Sequence, residues 1–215
     1  MGSPFVRTFY LWGGMGSATD GFLRALRAKP VVAGLRRSAD VAGAIRHGIA
    51  VLFILGEDIF ALQESVLKAH ASGRLILAHV DLIKGVGRDE VGVRFLARHL
   101  HVDGILTTRG NLIGPAKREG LIAVQRLFVL DSESLETGLP AVERAAPDAV
   151  EVLPGVILPL IAAQLKGASL PPLIAGGLIR TRAQVDEILA AGAIAISTGA
   201  EDLWNFRGAK EQNNP

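Results

Sequence analysis

The chain of 215 residues contains no cysteine, and this absence excludes several kinds of site. Disulfide bonds, thiolate nucleophiles and zinc sites built on cysteine cannot form without that side chain. Aromatic residues make up only 5% of the chain, so stacking platforms for single-stranded nucleic acid are scarce. Any chemistry must therefore come from histidine, carboxylate, hydroxyl, amide and basic side chains.

Long hydrophobic runs are also missing. Although 49% of the residues are hydrophobic, no run approaches the roughly 20 residues that a membrane-spanning helix requires. The first residues resemble neither a secretory signal nor a myristoylation motif. We therefore expect an apolar protein interior, no membrane partner and a cytoplasmic location.

The excess of positive charge is small, with 23 Lys and Arg against 21 Asp and Glu. Nucleic-acid-binding domains usually concentrate basic residues until the domain is plainly basic, so the net charge of +2 does not by itself indicate one. Local basic clusters do occur, and a solvated face is the simplest interpretation of each. The clusters are Arg24, Arg27 and Lys29; Arg36 and Arg37; Lys117 and Arg118; Arg180 and Arg182.

From residue 31 onward the sequence repeats one pattern, a short β-branched apolar run followed by a longer stretch with helical spacing of apolar residues. Eight such units occur. Alternating strands and helices imply parallel strands with right-handed crossovers, and eight strands close a barrel. The sequence therefore predicts a single (β/α)8 TIM barrel. Its strands are expected at 31–35, 50–55, 75–80, 104–107, 122–128, 149–153, 173–175 and 193–197.

The alternative architecture is an open doubly wound sheet. No predicted strand is followed by a clean Gly-x-Gly-x-x-Gly or Walker-type phosphate turn, which argues against that alternative. Residues 1–29 lie outside the repeat and are expected to form an N-terminal extension with a helix that plugs the barrel bottom. The barrel itself is assigned to 30–207, and a disordered tail to 208–215.

Functional side chains of this fold lie where the strands end, because the loops there converge on one cavity. The third predicted strand ends in His79-Val80-Asp81, and alternation places His79 and Asp81 on one face, towards the barrel mouth. A histidine and a carboxylate there can move a proton, contact a ligand or form a structural pair. No second histidine is suitably placed, so no metal site is predicted.

The fourth predicted strand runs into a polar turn, Thr107-Thr108-Arg109-Gly110-Asn111. Its hydroxyls, amide and guanidinium suit an anionic, oxygen-rich ligand. Helix capping by Thr108 or Asn111 is the alternative interpretation, and Arg109 is harder to explain by capping.

Polar residues also interrupt the fifth and sixth predicted strands. Gln125 and Arg126 stand within an apolar run, and one of them is expected to face the barrel interior. Glu151 is either a base or the counter-ion of Arg126, and we favour the ion pair.

The last two predicted strands are followed by Gly176-Gly177 and by Ser197-Thr198-Gly199. Barrels often hold phosphate at this location, because glycines let the backbone approach and N–H groups near a helix N-terminus compensate the charge. A pair of tight turns would look similar, and position within the fold favours the phosphate site.

Across these segments the sequence resembles the glycerol-3-phosphate responsive antiterminator family, regulators of bacterial glycerol-utilisation operons. The matching segments follow the family order from about residue 30 to 206. They are HVDLIKGVGRDE at 79–90, DGI at 103–105, TTR at 107–109, NLI at 111–113, QRLF at 125–128, DS at 131–132, VEVLPG at 150–155, IAGGLI at 174–179, AGAIAIST at 191–198 and LW at 203–204. Two departures are Gly110, where the family has Ser, and Gly114-Pro115 in place of a basic helix start.

The resemblance implies a TIM barrel that binds sn-glycerol 3-phosphate and, when occupied, acts on a nascent leader mRNA to prevent termination of transcription. It implies no catalytic residue, cofactor or metal, and it leaves homo-oligomerisation open. On this reading Gly176, Gly177, Ser197 and Thr198 hold the phosphate. The glycerol end and the mouth are then shaped by His79, Asp81, Arg109, Arg126 and Glu151. The residues to test for RNA contact are Arg36, Arg37, Lys117, Arg118, Arg180 and Arg182.

Two other functions remain open. The first is an enzyme, such as an isomerase or epimerase, that acts on a small phosphorylated substrate with Asp81 and Glu151 as acid and base. The second is a metabolite-binding barrel without RNA contact. The resemblance places the RNA-binding regulator ahead of both.

Overall fold

The computed structural model describes residues 17–165 and 167–206. In this part of the chain eight parallel strands follow one another around a closed barrel, and the first strand pairs with the last. The strands are β1 (Val31–Leu35), β2 (Val51–Ile54), β3 (Leu75–His79), β4 (Gly104–Thr107), β5 (Ile122–Phe128), β6 (Ala149–Leu153), β7 (Leu173–Gly176) and β8 (Ala195–Thr198). The predicted TIM barrel is confirmed, and its closure excludes the open sheet. Four strands have the predicted bounds, and the other four differ by one or two residues at one or both ends.

Eight α-helices lie within the same described residues. They are α1 (Ala18–Ala28), α2 (Val41–Arg46), α3 (Ile59–Ala71), α4 (Glu90–Arg98), α5 (Ile113–Arg118), α6 (Ser132–Ala145), α7 (Leu158–Leu165) and α8 (Arg182–Ala190). Side-chain oxygens of Asp58, Asp131 and Thr181 accept N–H groups of the first turn and so fix where three of these helices begin. None of the described helices has the length and apolar character needed to cross a membrane.

Two apolar clusters hold the barrel together. The larger cluster lies between the strands and the surrounding helices. A smaller one fills the barrel interior with residues such as Leu77, Val124 and Ile174. Phe22 and Leu26 of α1 are fully buried in this inner cluster. Helix α1 therefore closes the N-terminal end of the barrel and leaves the carboxyl ends of the strands as the open end.

Three of the predicted segments fall wholly or partly outside the described residues. The structure does not describe residues 1–16 of the N-terminal extension, position 207 at the end of the assigned barrel, or the tail 208–215.

Candidate functional site

A layer of buried polar side chains replaces the apolar interior at the carboxyl ends of the strands. Leu77, Val124 and Ile174 belong to the inner cluster. Because side chains alternate along a strand, residues two positions further on face the same interior. Those positions are occupied by His79, Arg126 and Gly176. The open end of the barrel is therefore polar where its centre is apolar.

Arg126 and Glu151 form the centre of this layer. They are register partners on β5 and β6, and the Arg126 Nε–H donates to Glu151 Oε2 over 2.5 Å. Their side chains are 10% and 1% exposed. The other carboxylate oxygen, Oε1, accepts the hydroxyl hydrogen of Ser197 from β8. The favoured ion pair between Arg126 and Glu151 is thus present, and both Glu151 oxygens are engaged.

Gly176 makes room for this arrangement. A Cβ at this position would overlap the Glu151 carboxylate and lie 2.6 Å from the Ser197 hydroxyl oxygen. Only glycine leaves enough space on β7 for the hydrogen bond that passes from β6 to β8. The sequence predicts close approach of a phosphate at this residue, whereas in the structure it permits close approach of two protein side chains.

Asp81 is saturated by hydrogen bonds from the segment that follows β4. Its Oδ2 accepts the Thr108 N–H over 2.8 Å and the Thr107 hydroxyl over 3.1 Å, and its Oδ1 accepts the Arg109 Nε–H over 3.0 Å. Burial alone would raise the pKa of Asp81, but these hydrogen bonds lower it below its usual value. Asp81 is therefore an ionised carboxylate that holds the polar turn in place.

His79 is buried beside these charges, with 2% of its surface exposed. Burial, and secondarily the positive charge of Arg126, lower the pKa of His79 to about 4, against the opposing effect of Asp81. Its Nδ1 lies 3.8 Å from Asp81 Oδ2 and has no hydrogen-bond partner among the described residues. His79 is therefore neutral near pH 7.

Gln125 faces away from this layer. A Cβ built on Gly110, outside the barrel, would lie 3.5 Å from Gln125 Nε2. The expectation that one residue of the pair Gln125 and Arg126 faces the interior is met by Arg126. Within the described residues, no group of three or more histidine and carboxylate side chains is arranged to hold a metal ion.

A cavity of about 480 Å³ opens above Arg126 and Glu151. The loops after β1, β7 and β8 supply half of the residues that line it, because ring closure brings β1 next to β8. The residues around it are Gly34, Arg36, Arg37, Asp40, Leu55, Arg126, Glu151, Leu153, Gly177, Leu178, Ile179, Ser197, Thr198 and Gly199. Gly177 adopts a φ of 84°, a left-handed conformation that favours glycine.

The cavity separates the ligand residues proposed from the sequence into two groups. Five of the nine line it: Gly177, Ser197, Thr198, Arg126 and Glu151. Gly176 is buried against Glu151 and Ser197 of this wall. The other three, His79, Asp81 and Arg109, belong to the adjoining sector around β3 and β4 and do not line this cavity. Their contact with a ligand stays a prediction.

Sequence reasoning missed two cationic residues of this cavity, Arg36 and Arg37, which it assigned to RNA contact. Both are exposed in the loop directly after β1. Arg37 forms an ion pair with Asp40, with Nη2 2.8 Å from Oδ1. Among the residues that the structure describes, Arg36 has no carboxylate partner. Their position just after a strand end was the signal that could have found them.

The six basic residues proposed for RNA contact do not form one surface. Arg36 and Arg37, like Arg180 and Arg182, follow strand ends at the mouth. Lys117 and Arg118 end α5 at the opposite end of the barrel, and both are engaged: the Lys117 ammonium donates to the Ala146 carbonyl, and Arg118 lies 3.1 Å from Glu90.

Comparison with known proteins identifies the family. The model of the glycerol-3-phosphate responsive antiterminator family matches residues 31–204 of the chain, which is nearly the whole barrel. The chain belongs to this family.

Individual relatives agree with that assignment. The chain is 32% identical to the glycerol uptake operon antiterminator regulatory protein of Listeria monocytogenes, whose crystal structure covers 83% of this chain and 96% of its own with a TM-score of 0.78. A glycerol uptake operon antiterminator-related protein of Thermotoga maritima is also 32% identical, with a TM-score of 0.73 over 83% of this chain and 99% of that one. The uncharacterized protein YgcP of Escherichia coli K12 is 31% identical over 86% of this chain and 96% of its own length.

The family membership indicates a glycerol-3-phosphate responsive regulator of transcription rather than an enzyme. Barrel enzymes are more distant from the antiterminator: N-acetylmannosamine-6-phosphate 2-epimerase of Clostridium perfringens has a TM-score of 0.65 but only 16% identity. Likeness at that level shows the fold alone.

Proposed function

We propose that this antiterminator binds sn-glycerol 3-phosphate in the cavity at the barrel mouth and, with ligand bound, contacts leader mRNA of glycerol-utilisation genes to prevent termination. One observation carries the ligand half of the proposal. The cavity lies against the loops after β7 and β8, where barrels commonly hold phosphate, and it contains a cation, Arg36, without a carboxylate partner in the described chain.

The phosphate end of the ligand belongs near Arg36, Gly177 and Thr198. A phosphate monoester carries between one and two negative charges near neutral pH, and a guanidinium can bind two of its oxygens at once. Thr198 Oγ1 accepts the Ala200 N–H over 3.1 Å, so the hydroxyl hydrogen can be donated to a ligand oxygen. Gly177 supplies a wall without a side chain, which lets an oxygen approach the backbone.

Ser197 has a different part in this proposal. Its hydroxyl hydrogen is donated to Glu151, so Ser197 can offer only a lone pair to a ligand. A lone pair suits a ligand hydroxyl and not a phosphate oxygen. We therefore place Ser197 with Arg126 and Glu151 at the glycerol end, where hydroxyl groups both donate and accept.

The alternative enzyme is disfavoured by its own candidate acid and base. Both oxygens of Glu151 and both oxygens of Asp81 accept hydrogen bonds from the protein. A general base for proton abstraction must reach a substrate proton, and its pKa works best near the operating pH. Asp81, with a lowered pKa and no place on the cavity wall, meets neither condition.

Calorimetric titration tests the ligand half. The expected result is saturable binding of sn-glycerol 3-phosphate that is tighter than binding of either glycerol or inorganic phosphate at the same ionic strength. Equal affinity for inorganic phosphate would mean that the cavity does not recognise the glycerol part of the ligand. Lack of binding would mean that sn-glycerol 3-phosphate is not the ligand.

The RNA half needs a separate measurement. Gel shift of a leader transcript, with and without ligand at one stated salt concentration, should show binding that strengthens when sn-glycerol 3-phosphate is present. Ligand binding without any RNA shift would reduce the protein to a metabolite-binding barrel.

A further inference from the structure

Positive charge is concentrated at the end of the barrel opposite the cavity. The segments 24–30, 46–50 and 65–75 comprise the end of α1, the end of α2 and the second half of α3 with its following turn. They contain six Lys and Arg residues and no Asp or Glu. We call these six residues the basic rim: Arg24, Arg27, Lys29, Arg46, Lys68 and Arg74.

The basic rim is continuous across three elements. The Lys29 ammonium donates to the carbonyl of His47, which joins the end of α1 to the end of α2. The N–H of Leu75, next to Arg74, donates to the carbonyl of Ala50, which joins the turn after α3 to the same place. Because α1 closes the barrel bottom, Arg24 and Arg27 lie near the centre of this end and the other basic side chains lie around them.

The remainder of the same end has a different charge pattern. Segments 98–103, 117–121 and 143–148 contain four Lys and Arg residues and four Asp and Glu residues. Several of these groups pair with each other: Arg98 Nε lies 2.7 Å from Glu119 Oε2, and the Lys117 ammonium lies 3.5 Å from Asp148. One arc of the rim is thus neutral and paired, whereas the other carries a net positive charge even though Lys68 lies 3.6 Å from Glu64 one turn earlier in α3.

Helix dipoles do not account for this contrast. A cation in the last turn of a helix is stabilised by the helix C-terminus, which explains one basic residue per helix. It does not explain why α1 and the residue after it carry three, or why carboxylates accompany the cations after α4, α5 and α6 but are missing after α1, α2 and α3.

The mouth is a poor surface for a long polyanion. The loops that follow the strands contain seven Lys and Arg residues against ten Asp and Glu residues, an excess of three negative charges. These loops are 36–40, 55–58, 80–90, 108–112, 129–133, 177–182 and 199–203. A single phosphate can still bind beside Arg36, whereas an RNA backbone would meet the net negative charge.

We infer that the basic rim is the surface on which the phosphate backbone of the leader RNA binds. The inference rests on the RNA half of the proposed function and adds where the RNA lies: at the end of the barrel away from the ligand. Arg27 and Arg46 are exposed on two different helices and can reach phosphates. A membrane surface is disfavoured because Leu67 is the one exposed large apolar side chain in the three segments of the basic rim, and interfacial binding usually buries a whole apolar face.

Salt-dependent binding of a leader transcript tests the inference on the full-length protein with sn-glycerol 3-phosphate present. The test variant is R27A/R46A, and the matched control is R180A/R182A, which removes the same charge from the mouth. Removing one phosphate contact lowers the slope of log K against log salt by about 0.7 to 0.9. Removing two therefore changes the slope by about 1.5 and the affinity by about twentyfold at roughly 0.15 M salt. The control should bind RNA like the wild type.

Each outcome has a definite meaning. If RNA affinity is unchanged in R27A/R46A, or falls more in R180A/R182A, the RNA does not bind to the basic rim. The proposed function is not affected by that result. Wild-type protein that binds ligand but no leader RNA overturns both. Calorimetry of R27A/R46A with sn-glycerol 3-phosphate shows that the variant is folded if its ligand affinity is unchanged. If R27A/R46A keeps its RNA binding but no longer binds phosphatidylglycerol vesicles that the wild type binds, the surface belongs to a membrane and the inference is overturned.

Discussion

Arg126 and Glu151 face each other on neighbouring strands of the barrel and form an ion pair of 2.5 Å in which the glutamate is almost completely buried. Removing two charges from water costs several kcal/mol per ion, and only good geometry with further hydrogen bonds offsets this cost. Ser197 supplies one such bond to the carboxylate. The pair therefore stabilises the barrel and also forms the floor of the cavity.

The first prediction concerns the removal of one partner of that pair. Glu151→Gln keeps the shape of the side chain but leaves the buried Arg126 guanidinium without a counter-charge, which should lower the free energy of unfolding by about 3 to 5 kcal/mol. Urea denaturation measures the change. Glu64→Gln is the matched control, because Glu64 lies 3.6 Å from Lys68 on the surface and such pairs contribute at most about 1 kcal/mol. Equal effects in the two variants would mean that Arg126 is solvated.

The second prediction concerns the space at Gly176. Gly176→Ala introduces a Cβ that overlaps the Glu151 carboxylate, so the hydrogen bond between Ser197 and Glu151 must break or β7 must shift. Forcing extra volume into a packed site typically costs about 1 to 3 kcal/mol. Gly21→Ala is the control, because a Cβ at that position in α1 meets nothing within 4 Å.

The control should move in the opposite direction. Alanine is favoured over glycine in a helix interior by about 0.8 to 1 kcal/mol, so Gly21→Ala should raise the free energy of unfolding. Thermal or urea unfolding of both variants tests whether Gly176→Ala lowers the free energy of unfolding while Gly21→Ala raises it. A neutral Gly176→Ala variant with wild-type ligand affinity would contradict the tight arrangement around Glu151.

The third prediction concerns pH. The pKa of His79 falls from 6.5 to about 4 on folding, so between these two values the unfolded chain takes up a proton at this residue that the folded protein excludes. The free energy of unfolding therefore decreases as pH falls through this window, by up to about 1.4 kcal/mol per pH unit and about 3 kcal/mol in all. Above pH 6.5 the effect is absent, because the residue is neutral in both states.

Urea unfolding of the wild type and of His79→Gln at several pH values checks this prediction. Glutamine does not titrate, so the variant should lose less stability than the wild type as the pH falls from the ordinary histidine pKa of 6.5 to about 4. Parallel curves for the two proteins would show that His79 titrates normally in the folded state.

The barrel could be predicted from the sequence because its repeat is local. Each strand is a short β-branched run, and each helix shows its own spacing and often its own cap, as Asp58 and Thr181 do. The ion pair between Arg126 and Glu151 could be predicted for a related reason, since β5 and β6 are consecutive strands and therefore neighbours in the barrel. Neither inference needs to know how the first strand of the barrel meets the last.

The cavity could not be predicted in the same way. Arg36 contributes to it only because β1 pairs with β8, which brings the loop after the first strand beside loops that come much later in the sequence. Ser197 reaches Glu151 across 46 residues of sequence and over the glycine of the strand between them. The sequence around Asp81 fits a base, a ligand contact or a structural pair with His79. Only the hydrogen bonds of Asp81 to the turn after β4 show that its oxygens are already engaged.

The last prediction concerns Arg36 and ligand binding. A hydrogen bond to a charged group contributes about 1.5 to 3 kcal/mol, so Arg36→Ala should weaken binding of sn-glycerol 3-phosphate by about tenfold to 150-fold. Arg180→Ala is the matched control: it removes the same charge from an exposed position near the mouth that does not line the cavity. Calorimetry at two salt concentrations separates direct contact from a general electrostatic effect, because only the latter is strongly screened. Equal losses in both variants, which vanish at high salt, would mean that Arg36 acts through the overall field and that the phosphate binds elsewhere.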